Sequence, residues 1–120
     1  MQKFEITTDG LFNVKDGGID CLHFTKLPVK TSRMLFADIE YDSITESGEH
    51  KIEIRIIDGD GNNKMSPILL NVDFPQNKRF YDFGGELIAT FDNYGMHSIE
   101  IFIDGTHIKS LPLNIVPEEQ

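Results

Sequence analysis

The sequence predicts an all-β domain, an antiparallel sandwich of seven or eight short strands. Three observations carry this. Apolar residues recur with a period of two in one row after another. Turn signals rich in Gly, Asp and Asn fall between the rows at the spacing of a small all-β domain. No stretch sustains the i, i+3, i+4, i+7 stripe of a long helix. At 120 residues, 39% of them hydrophobic, the chain makes one domain (residues 1–120) and buries enough surface to need no covalent staple.

The elements follow in order. Phe4 and Ile6, then Leu11 to Val14, then Ile19 to Phe24 give three weak strands, with Lys15-Asp16-Gly17-Gly18 turning between the second and third. Arg33, Leu35, Ala37, Ile39 and Tyr41 form an apolar row, so Asp38, Glu40 and Asp42 point the other way. Ser47-Gly48 precedes a strand in which His50, Ile52, Ile54 and Ile56 alternate with Lys51, Glu53 and Arg55, and Asp58 to Asn63 closes it. Ile68, Leu70, Val72 and Phe74 make the next row. After Pro75, Lys78-Arg79-Phe80-Tyr81-Asp82-Phe83 reads as a loop, and Leu87, Ala89 and Phe91 resume the alternation. Ile99, Ile101 and Ile103 form the strongest row, followed by Asp104-Gly105, which suits the positive φ of a type I′ hairpin. The last strand changes phase between Ile108 and Leu111, Leu113 and Ile115, so a bulge is expected near Lys109-Ser110. Pro112 lacks an N–H and belongs at an edge or bulged position.

Charge narrows the function classes. Eleven Lys and Arg against twenty Asp and Glu leave a net charge of −9. A basic stripe able to follow phosphates is missing, which argues against nucleic acid and anionic membranes as partners. Without an apolar amino-terminal segment or a run of eighteen apolar residues, a cytoplasmic location is expected.

The chemical motifs are weak. Asp58, Asp60 and Asn62 have the 1, 3, 5 spacing of a calcium loop, but Asn63 stands where that loop needs Gly and Leu69 where it needs Glu. A solvated turn is the simpler expectation. His23, His50, His97 and His107 are scattered, and none forms a zinc spacing with another His or with Cys21. His50 and His97 fall in phase with apolar rows and are expected at the core's edge. Cys21, beside Leu22, reads as a buried inert thiol. Asp82-Phe83-Gly84 lacks every other element of a kinase, and neither Gly-Gly pair continues as a phosphate loop. No catalytic residue, metal ligand or cofactor site is therefore expected.

The frame Asn93-x-Gly95-x-His97-x-Ile99 resembles the Asp-x-Gly-x-Tyr-x-Cys of immunoglobulin-like domains, with His and Ile in place of Tyr and Cys. A wider likeness runs through Gly48-Glu49-His50-Lys51-Ile52-Glu53-Ile54-Arg55-Ile56-Ile57-Asp58-x-Asp60-Gly61, Gly95-x-His97-x-Ile99-Glu100-Ile101-Phe102-Ile103-Asp104-Gly105 and Leu111-Pro112-Leu113. These segments resemble a domain-of-unknown-function family of small bacterial and phage proteins with immunoglobulin-like sandwiches. The resemblance implies that fold and transfers no activity.

The functional expectation is a non-enzymatic module that binds a protein partner. Two features could serve it. Asp38, Glu40 and Asp42 repeat every second residue, about 7 Å apart on one face, an arrangement that a basic partner would relieve; Glu46 and Glu49 extend it along the chain. Phe80 and Tyr81 set aromatics beside two bases and could anchor a partner instead of capping the core. Rival readings are an acidic, phage-encoded inhibitor that occupies a basic site of a host enzyme, and a calcium- or sugar-binding module.

Overall fold

The computed structural model describes residues 4–7, 12–16 and 21–118, with side chains described from residue 21 onward except at 33 and 34. Nine strands occur among these residues: β1 (Phe4–Thr7), β2 (Phe12–Asp16), β3 (Cys21–Phe24), β4 (Val29–Tyr41), β5 (Gly48–Asp58), β6 (Ile68–Phe74), β7 (Phe80–Phe91), β8 (Gly95–Ile103) and β9 (Thr106–Pro117). Each weak amino-terminal segment is a strand of its own, so the count exceeds the seven or eight expected. Leu11, the turn residues Gly17 and Gly18, and the start of the Ile19–Phe24 segment lie outside the described residues.

The strands form a four-stranded sheet in the order β1-β2-β4-β7 and a five-stranded sheet in the order β3-β9-β8-β5-β6. Alternation fills the space between them. Leu35, Ala37, Ile39 and Tyr41 of β4 and Phe83, Leu87, Ala89 and Phe91 of β7 are buried. So are Ile52, Ile54 and Ile56 of β5, Ile99, Ile101 and Ile103 of β8, and Leu111, Leu113 and Ile115 of β9. Packing two half-apolar sheets in this way removes both apolar faces from water at once.

One pairing departs from the antiparallel expectation: β3 runs parallel to β9, Cys21 opposite Asn114 and Phe24 opposite Pro117. Parallel neighbours need a long crossover, and here everything between residues 24 and 114 supplies it. β3 is an edge strand of four residues, with Leu22 buried and Phe24 packed half-buried against the core. Cys21 is half-buried rather than buried, with Sγ 3.6 Å from His23 Nε2.

Sequence signals at the turns and the bulge are answered locally. Asp104 and Gly105 have φ of 53° and 82°, the two positive values that a type I′ turn requires. The bulge falls at Ile108, one residue before the expected position, where Ile101 pairs with Lys109 and Phe102 with His107. As a result Ile108 and Lys109 are both buried. Pro112 sits in the part of β9 that β3 does not cover. The largest shift of a boundary is in β7, which begins at Phe80, so the aromatic segment read as a loop is strand.

Candidate functional site

The outer face of the four-stranded sheet is the strongest candidate. On β4 the even-numbered residues point outward: Phe36, Asp38 and Glu40, with Asp42 just past the strand. On β7 the outward set is Phe80, Asp82, Gly84, Glu86 and Ile88. The register sets Asp38 directly opposite Asp82, and Phe36 opposite Gly84. Like charges directly opposite on a sheet are unfavourable. Lys15 holds the position beside Asp38 on β2. Among the carboxylates, Phe36 and Ile88 remain 62% and 47% exposed. The Phe36 ring lies over Gly84, where a Cβ would come within 2.8 Å of it.

The comb proposed from the sequence is thus rearranged. Glu40 is half-buried and paired with Arg79 at 2.7 Å, and the Arg79 guanidinium also stands over the Phe80 ring at 5.6 Å. Asp42 works in a turn, its Oδ1 accepting from Ile44 N–H at 2.8 Å. Glu46 is half-buried in the same turn, and Glu49 lies on the other sheet, so neither continues the row. Their place is taken by Asp82 and Glu86, which the apolar alternation in the sequence does not reveal because it resumes only at Leu87. The signal was present: Asp82, Gly84 and Glu86 alternate with the inward-facing Phe83 and Leu87. The aromatic pair also divides, since Phe80 is exposed while Tyr81 is half-buried with its ring 5.1 Å from that of Phe74.

The calcium-like spacing has a different use. Asp58 Oδ1 accepts from the N–H groups of Asp60 and Asn62, both at 2.9 Å. Its Oδ2 faces the Lys64 ammonium at 3.0 Å and the Asn62 amide nitrogen at 3.4 Å. Both Asp58 oxygens, which a cation in this turn would need, are already turned toward donors of the chain itself. Millimolar calcium is expected to leave the melting temperature unchanged. A shift of several degrees that disappears in Asp60→Ala would show that the turn opens to the ion.

His50 has both ring nitrogens on acceptors, Nδ1 on Asp104 Oδ2 at 2.5 Å and Nε2 on the Glu46 carbonyl at 2.7 Å. Only the imidazolium can donate at both. Burial works to lower its pKa, but the hydrogen bonds to Asp104 and Glu46, and their charges, outweigh it and hold the value above the ordinary 6.5. A raised value means that the stabilisation is complete below 6.5 and fades as pH rises through the folded-state pKa. His50→Gln is expected to cost about 1–2 kcal/mol at pH 5.5 and much less at pH 9, as measured by urea unfolding. An equal cost at both pH values would show that the charge is not involved. His97, by contrast, is buried, with Nδ1 donating to the Gly95 carbonyl at 2.9 Å and the ring edge-on to Phe91. The corner it occupies is tied by another side chain, Tyr94, whose hydroxyl donates to the Phe24 carbonyl at 3.0 Å.

No cluster of three or more His, Cys, Asp or Glu able to hold a metal occurs among the described residues. Nor does any helix there have the length and apolarity to cross a membrane. With this geometry in place, the comparisons add a family and a fold. A family model described as "Family of unknown function (DUF6941)" matches residues 5–116. No curated protein matches the chain. Among solved structures, a β-glucosidase from Listeria innocua in complex with isofagomine is similar, with a TM-score of 0.55 and 10% identity. That likeness covers 88% of this chain and 16% of the β-glucosidase chain, and at such identity it speaks to the fold alone. The chain belongs to the DUF6941 family of unknown function.

Proposed function

We propose that this member of the DUF6941 family is an immunoglobulin-like, non-enzymatic binding module that holds a positively charged protein partner on the outer face of its four-stranded sheet. The observation that carries this reading is the Asp38–Asp82 pair, two carboxylates set directly across two strands and flanked by the exposed Phe36, Phe80 and Ile88. The facing carboxylates concentrate negative charge on this face, and a basic partner is complementary to it. The apolar residues between them supply area that a purely solvated face does not need. Asp38, Asp82 and Phe80 are the main contacts in this reading, with Glu40, Asp42 and Tyr81 at its margin. The likeness to part of a β-glucosidase brings no catalytic residue with it.

The double variant Asp38→Asn, Asp82→Asn tests the proposal. It should melt at the same temperature as the native protein or slightly higher. Capture of the partner from a lysate should succeed with the native protein at low salt, fail with the variant, and fall steeply as sodium chloride approaches half molar, because exposed charges are screened within about 10 Å at 0.1 M. Equal capture by the two proteins would reduce the acidic face to a solvated surface.

A further inference from the structure

The edge of β7 offers a means of gripping such a partner. We propose that it is a strand-addition site for an extended segment of another protein carrying Lys or Arg at every second position. This rests on the binding-module reading and names its mode.

Four observations lead there. First, β7 is the longest edge strand: it has 12 residues, against 4 in β1, 4 in β3 and 7 in β6. Short edges offer little to pair with, whereas a long one is a template. Second, the direction of its free backbone groups is settled. Arg79 C=O accepts from Tyr41 N–H on the β4 side, while Thr90 N–H donates to Lys64 C=O on the opposite side. Since N–H and C=O alternate sides along an antiparallel strand, the even-numbered Asp82, Gly84, Glu86 and Ile88 direct theirs to the open edge. None of the four has a backbone partner there among the described residues.

Third, the first rung of a neighbouring strand is already in place. Lys64 C=O takes the Thr90 N–H as a paired strand would, and beside it lies an open groove of about 440 Å³. Glu86 and Ile88 of β7 line it together with Met65 and Ile68. Fourth, of the protections usual for an edge β7 carries only acidic charge, at Asp82 and Glu86. It has no Lys, no Pro and no register shift against β4, whereas the uncovered stretch of β9 carries Pro112.

Charge selects the occupant. If two copies paired antiparallel about Gly84, Asp82 of one would face Glu86 of the other, on chains that each carry −9. The edge thus repels its own kind and favours a basic strand. Residues directly opposite in a ladder share a face, so the partner's basic side chains lie beside Asp82 and Glu86. Its alternate residues turn toward Met65 and Ile68 and should be apolar. Lys30 stands at the Ile88 end of the groove, which places the basic positions toward Asp82.

The probe is a fluorescent ten-residue peptide of alternating lysine and valine, followed by anisotropy at low salt with the full chain. The lysine residues opposite Asp82 and Glu86 point their N–H groups at β7, and the valine N–H groups point away. N-methylation of the lysine nitrogens should weaken binding at least tenfold, and N-methylation of the valine nitrogens less than threefold. Amide exchange at Asp82, Gly84, Glu86 and Ile88 should slow at least tenfold on binding. A glutamate–valine peptide and the Asp82→Lys, Glu86→Lys variant should each abolish the interaction. If both methylated peptides bind alike and exchange at the four amides is unchanged, the edge inference falls while the acidic-face reading stands. If the lysine–valine peptide fails to bind while the native face still captures its partner, the edge inference falls alone; if neither occurs, both fall.

Discussion

Replacement of Lys64 by Met is expected to lower the melting temperature by roughly 10 °C, the scale on which a domain of this size registers the loss of one partner of a buried ion pair. Lys64 joins the two sheets twice, once through its backbone and once through its ammonium. Its N–H donates to Ile56 C=O on β5 and its C=O accepts from Thr90 N–H on β7, at 2.8 and 2.9 Å. Its ammonium reaches Asp58 at 3.0 Å and Asp92 at 2.7 Å. The side chains of Lys64 and Asp58 are only 8% and 4% exposed. Met preserves the length of the side chain and both backbone bonds, so the loss reports the charge. It leaves the Asp58 carboxylate buried without its cation. The double variant Asp58→Asn, Lys64→Met removes that orphan while keeping an oxygen for the Asp60 and Asn62 N–H groups. It should therefore melt above the Lys64→Met single variant, whereas independent contributions would put it below.

The same site sets an acid limit. The Asn62 N–H holds the Asp58 carboxyl well below the usual carboxylate range, against the opposing effect of burial, with Lys64 and the Asp60 N–H adding to it. A lowered value means that the stabilisation is present above the ordinary 3.8 and is lost as pH falls through the folded-state pKa. In Lys64→Met that carboxyl loses one of its supports, so acid unfolding should begin at a higher pH. An unchanged acid transition would show that the backbone donors alone hold Asp58 ionised.

The sequence reveals much of this fold because period-two patterning is a direct image of a half-buried strand. Leu35 to Tyr41, Ile52 to Ile56 and Ile99 to Ile103 declare their inner faces without ambiguity, and Asp104-Gly105 declares its turn. What stayed hidden has a physical reason in each case. Gly84-Gly85 interrupts the apolar row of β7, so Phe80 to Phe83 looked like a loop; the structure covers Gly84 with the Phe36 ring instead. The parallel β3–β9 pair depends on segments about ninety residues apart, which no local pattern encodes. The partnership of Asp58 with Lys64 was obscured because the Asp-x-Asp-x-Asn spacing suggested an external cation, and the chain supplies its own from six residues on. The acidic face was half legible: Asp38 and Glu40 could be read from β4, but their neighbours on β7 could be assigned only once the register was known.

The second large effect is expected at Phe74, the last residue of β6. Its ring is 1% exposed and lies 4.6 Å from Tyr41, 4.6 Å from His50 and 5.1 Å from Tyr81, measured between ring centroids. These neighbours come from both sheets: Tyr41 ends β4, His50 is near the start of β5, and Tyr81 is near the start of β7. Tyr41 is further fixed by its hydroxyl, which donates to the Pro75 carbonyl at 2.5 Å, so it cannot swing in to fill a gap. Phe74→Ala should then leave an unrelaxed cavity and cost about 3–5 kcal/mol in urea unfolding. Phe74→Leu, which keeps most of the volume, should cost less than half as much. The cavity also undercuts His50, whose ring rests on Phe74 while its nitrogens hold Asp104 and Glu46. A cycle with His50→Gln should accordingly show coupling of about 1 kcal/mol at pH 5.5 and little at pH 9. Coupling of the same size at both pH values would mean that the aromatic stack supports the ring's packing but not its ion pair. A cost below about 1 kcal/mol for Phe74→Ala, small for a core aromatic, would mean that the two sheets close at this end without the stack.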